Sequence, residues 1–86
     1  MDETQYGERL GKLLVVVTNT EDIRAKTDLY KIYRNCMNIF IELDKESVEC
    51  RRIKHKTAKY DSLEKKLIES INEFEMWITY AALRFT

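Results

Sequence analysis

Residues 29–50, LYKIYRNCMNIFIELDKESVEC, decide the fold. Leu29, Tyr33, Cys36, Phe40, Leu43, Ser47 and Cys50 recur in strict four–three alternation. That is the spacing of a coiled-coil seam, in which one edge of a helix meets another helix. A second stripe runs beside it, made of Ile23, Tyr30, Met37, Ile41 and Val48. Arg24, Asp28, Lys31, Asn35, Asn38, Glu42 and Glu49 fill the polar arc that remains. An apolar arc this wide exceeds what a single neighbour covers, so two neighbours are expected.

Working outward, no proline or glycine occurs from Thr20 to Phe85. One long helix is expected from about Glu21 toward Lys56. Asp44 and Ser47 can each cap a new helix, but an unbroken helix is the favoured reading. Its start is assigned to Thr18, which forms a capping box with Glu21, or to Thr20, followed by Glu21 and Asp22. Lys56-Thr57-Ala58-Lys59 is the expected bend, and Asp61-Ser62-Leu63-Glu64 the next capping signal. A last helix then runs to about Leu83. Its stripe is Tyr60, Leu63, Leu67, Ile71, Phe74, Ile78, Ala81 and Phe85. Near the N-terminus, Asp2 caps a shorter helix whose face is Tyr6, Leu10, Leu13, Leu14 and Val17. Gly7 and Gly11 flank that face. Each weakens the helix by about 1 kcal/mol relative to alanine, while permitting close backbone approach. Residues Leu13-Leu14-Val15-Val16-Val17 also have strand propensity, but no second segment offers a partner strand.

These patterns predict an all-α protein, with residues 1–86 forming one helical domain. It is a three-helix bundle built on a long antiparallel, coiled-coil-like hairpin of the middle and last helices. The shorter N-terminal helix is expected to cover the second stripe of the middle one. Such a small chain buries only about 60% of its unfolded surface, so apolar area is expected to be left over.

Apolar residues make up 44% of the chain and charged residues 35%, which is too apolar for disorder. Fifteen acids balance fifteen Lys and Arg, so no global field draws the chain to nucleic acid or membrane. The start Met1-Asp2-Glu3 does not resemble a secretory leader, and no apolar run approaches the ~18 residues of a membrane span. Cys36 and Cys50 would lie about 21 Å apart on one helix, beyond disulfide reach. Two free thiols fit an intracellular location, cytoplasmic or nuclear.

Catalysis finds little footing. Cys50 sits beside Arg51 and Arg52, but His55 is about 140° around the helix and supplies no positioned base. Cys36, Cys50 and His55 lack zinc-ligand spacing and a fourth ligand. There is no Gly-rich phosphate loop. Glu69, Glu73 and Glu75, interrupted by Phe74, read as a solvated face. Leu10-Gly11-Lys12-Leu13-Leu14 matches an LxxLL pattern and Tyr60-Asp61-Ser62-Leu63 resembles a tyrosine sorting signal. Both are read as core residues at helical spacing. No catalytic residue, metal, cofactor or small-molecule substrate is therefore expected.

Two segments stand out. Met76-Trp77-Ile78-Thr79-Tyr80-Ala81-Ala82-Leu83-Arg84-Phe85 has eight apolar or aromatic residues in ten, spread over all sides of a helix. One side faces the hairpin, which leaves Met76, Trp77, Tyr80 and Leu83 as candidate contacts, together with Tyr30, Met37 and Ile41 of the second stripe. Trp, Tyr and Met are favoured in interface cores. The expected partner is another protein or a second copy, as a homodimer or hetero-oligomer. The other segment carries Arg51, Arg52, Lys54, Lys56 and Lys59 around His55, with no acid between Cys50 and Tyr60. These cations suit a phosphate polymer or an acidic partner, or complement the negative end of the middle helix. A helical adaptor, scaffold or assembly subunit is the leading reading. A small nucleic-acid-associated regulator is the alternative.

Overall fold

The computed structural model describes residues 4–85, with side chains described for 4–80. Three helices follow in order: α1 (Thr4–Thr18), α2 (Ile23–Ile53) and α3 (Ala58–Phe85). The four–three seam produces the unbroken α2, which passes through Asp44 and Ser47 without interruption. At 1.5 Å per residue its 31 residues span about 46 Å. The whole molecule is a rod of 49 × 17 × 17 Å, so α3 has no room except to double back along α2.

Each helix end has an identifiable cause, and two lie away from the sequence signals. Thr18 and Thr20 do not cap α2. Their hydroxyls donate back to the carbonyls of Leu14 (2.9 Å) and Val16 (2.8 Å), which closes α1 instead. The cap falls to Asp22, whose carboxylate accepts the Ala25 N–H at 2.9 Å. At the far end Lys54 turns left-handed (φ 63°, ψ 29°) and its N–H returns to the Cys50 carbonyl. The bend therefore starts at Lys54, two residues before the expected position.

The cap of α3 is Thr57 rather than Asp61. Its hydroxyl accepts the Tyr60 N–H at 3.1 Å and donates to the Glu46 carboxylate at 2.7 Å. That cross-hairpin bond selects Thr57, because Glu46 lies on α2 directly opposite. Asp61 then falls in the first turn, where its charge suits the positive helix end. The proposed Asp2 cap lies outside the described residues.

The core is a single seam shared by the three helices. Tyr6, Leu10, Leu13 and Val17 of α1 meet Leu29, Cys36, Leu43 and Cys50 of α2 and Tyr60, Leu67, Ile71 and Phe74 of α3. The LxxLL leucines Leu10 and Leu13, and Tyr60 of the sorting-like tetrapeptide, are thus buried. Ser47 is fully buried in the seam, and its hydroxyl accepts from Arg51 at 3.0 Å.

The placement of α1 differs from expectation. It lies in the groove between α2 and α3 rather than over the second α2 stripe. Tyr6 donates to Glu64 at 3.1 Å, while Arg9 reaches Asn72 (3.1 Å) and Glu75 (2.7 Å), so α1 runs parallel to α3. A groove position lets one apolar face bury against two helices at once. Consequently Ile23, Tyr30, Ile41 and Val48 stay exposed, and only Met37 of that stripe packs partly on the core. Gly7 faces the Phe40 ring, where an added Cβ would meet ordinary contact at 3.5 Å, and Gly11 faces open space. Neither glycine is required for close approach.

Candidate protein-interaction surface

The outward side of α3 carries the largest exposed apolar side chains that share one helix face. Phe74, Ile71 and Leu67 turn into the core at helical spacing, which directs Glu73, Met76, Trp77 and Tyr80 away from it. Met76 is 72% exposed, Trp77 49% and Tyr80 56%. Together with Glu73 they line an open groove of about 610 Å³. The Trp77 and Tyr80 rings stand nearly perpendicular (86°), with centroids 6.2 Å apart. A second shallow groove continues around the helix over Asn72, Glu75, Met76, Thr79 and Tyr80. Arg9 closes its α1 side by pairing with Glu75.

The predicted contact residues divide accordingly. Met76, Trp77 and Tyr80 come together. Tyr30 and Ile41 are exposed on α2, but Met37 is half-buried against the core. Tyr30 leans on Tyr33, with ring centroids 6.0 Å apart. Leu83 lies outside the residues whose side chains are described. Glu73 joins the groove although sequence reading assigns it only to a solvated face. Its signal was its register: it stands four residues before Trp77 and seven before Tyr80, on the same side of the helix.

The basic segment is tied into the turn. Arg52 forms a two-pronged ion pair with Glu49, with Nε–Oε2 at 3.0 Å. That pair holds the exposed Glu49 carboxyl below its usual range and the Arg52 guanidinium above its own. Arg51 donates to Ser47, and Lys59 lies 3.9 Å from Glu46. The Lys56 ammonium sits 5.5 Å from the centroid of the Tyr60 ring. Lys54 is the left-handed residue that ends α2. The acids that engage this segment come from α2 one and two turns upstream.

Both cysteines are free and buried. Burial first, and the Glu73 carboxylate second, push the Cys36 thiol up to about 11, where it stays protonated and unreactive at neutral pH. The Cys50 sulfur lies 3.7 Å from the Thr57 hydroxyl. Among the described residues no group of three or more His, Cys, Asp or Glu is arranged to hold a metal ion. None of the described helices is long and apolar enough to cross a membrane. Comparison with protein-family models, curated proteins and solved structures finds no match for this chain.

Proposed function

We propose that this protein is a non-enzymatic helical interaction protein, an adaptor, scaffold or assembly subunit that docks a protein partner or a second copy through α3. One observation carries the reading. Met76, Trp77 and Tyr80 stand exposed around one groove, while a continuous core is completed without them. Apolar surface that the fold does not use, concentrated in Trp, Tyr and Met, is the composition of an interface centre.

Site-specific photo-crosslinking tests this in cells that express the full chain. A photoreactive phenylalanine analogue at position 77 is expected to give a discrete adduct with self or another protein. The same analogue at Asn38, on the polar arc of α2, is expected to give none. An absence of adducts at 77, or identical adducts at both positions, removes the proposal. The alternative, a nucleic-acid-associated regulator, gains less support. Arg51, Arg52, Lys56 and Lys59 already have partners within the turn, so binding phosphate would require exchanging them.

A further inference from the structure

The groove on α3 has chemical features that narrow its occupant. Among the described residues, Met76, Trp77 and Tyr80 give it an apolar and aromatic lining, and Glu73 adds an acidic group. Glu73 lines it beside Met76, Trp77 and Tyr80, and has no ion-pair partner among the described residues. Two aromatic rings at 86° and 6.2 Å form a corner, in which one ring's face lies next to the other's edge. Ring faces attract cations, and the attraction grows when water is excluded. A carboxylate one turn away fixes the sign of the charge that such a corner accepts. Met76, flexible and polarizable, covers the aliphatic stem that brings a cation there.

Resting on the docking role proposed above, we propose that this corner seats an arginine side chain from a segment of a partner protein. The guanidinium stacks on the Trp77–Tyr80 corner and hydrogen-bonds Glu73. Arginine fits better than lysine. Its planar, weakly hydrated head stacks on rings and pairs two-pronged with carboxylates, whereas ammonium is a compact, strongly hydrated point charge. The Glu73 carboxylate, unpaired among the described residues and beside two ring faces, matches a cationic segment of another protein, and a second copy is an outcome that the test below distinguishes.

Trp77 is the only tryptophan, so its fluorescence reports this one corner. The full chain is titrated with N-acetyl-argininamide, with N-acetyl-citrullinamide as the neutral isostere and sodium chloride at matched ionic strength. A saturable change with the arginine probe alone is expected. Glu73→Gln should weaken it about tenfold, the loss of one charged hydrogen bond. Tyr80→Leu should weaken it about threefold, the loss of one ring face. Circular dichroism confirms that each variant is folded. Equal responses to the arginine and citrulline probes, or an unchanged midpoint in Glu73→Gln, overturn the proposal. So does light scattering that shows two copies joined with Trp77 shielded from quencher. If position 77 still crosslinks when the arginine probe fails, docking stands and only the arginine seat is lost.

Discussion

The two ends of the rod solve the same packing problem in opposite ways. At the α2–α3 turn only two helices meet, yet among the described residues Val48 is the one large apolar side chain left outside near it. Leu43, Cys50, Tyr60 and Leu67 are buried, Ser47 is hydrogen-bonded, and Thr57 ties α3 to Glu46. At the other end three helices meet, and apolar side chains are left outside: Val15, Val16, Ile23, Tyr30, Met76, Trp77 and Tyr80. More helices do not mean less exposed grease. What matters is whether small or polar residues stand wherever no neighbour arrives. Apart from Val48, the turn end has them, and the open end has Trp and Met instead. The turn end is built for stability, and the open end carries surface that stability does not explain.

Substitutions at the two ends can break or sharpen this contrast. The largest effect belongs to the shared core. Phe74 is fully buried, so Phe74→Ala should cost about 3–5 kcal/mol in urea unfolding. A loss below about 1 kcal/mol would mean that the seam is not the source of stability. At the turn, Thr57→Ala removes a helix cap and the bond to Glu46, with an expected loss of about 1–2 kcal/mol. Thr57→Ser should restore most of it, and a neutral alanine variant would break the account of the turn.

Between the ends lies Cys36, whose thiol reads the dryness of the seam. Its value is about 11 in the fold against 9.0 for the exposed group. As pH rises through that window the unfolded chain loses a proton that the folded chain keeps. Stability should therefore fall above about pH 9, and be unaffected by this group below it. Glu73→Gln should narrow the window, because one of the two causes that raise the thiol is removed. Smaller still are two backbone substitutions. Gly11→Ala in α1 should add about 1 kcal/mol, since its Cβ meets open space. Lys54→Gly should add up to about 1 kcal/mol by relieving a left-handed lysine. Thermal melts of both variants check the signs.

The stable half of this contrast was the more legible in sequence. Of the seven residues in the four–three seam, Leu29, Cys36, Leu43, Ser47 and Cys50 are buried, while Tyr33 and Phe40 pack only partly on the core. Even a serine in that register was readable, because spacing outweighs residue type along a continuous helix. The helix ends were not legible. Thr18, Thr20 and Asp22 all cap well, and the choice fell to Asp22 only because both threonine hydroxyls bond backward into α1. Thr57 prevails over Asp61 through a bond to Glu46, eleven residues away in sequence, which local signals do not carry. The position of α1 is not legible in the sequence for a related reason. A stripe on α2 shows that apolar surface exists, but not whether a neighbour gains more by wedging between two helices. On the surface, the exposure of Met76, Trp77 and Tyr80 is legible from residue type and surplus, whereas the place of Glu73 beside them depends on the geometry of the groove.

The measurement that bears most directly on the whole contrast carries the smallest expected effect. Met76, Trp77 and Tyr80 are replaced together by alanine, and urea unfolding is followed by circular dichroism. If the open end carries docking surface rather than core, stability should stay within about 1 kcal/mol of the parent, as for ordinary surface positions. A loss of several kcal/mol, on the scale of Phe74→Ala, would show that these side chains hold the bundle together and would contradict their assignment to a partner.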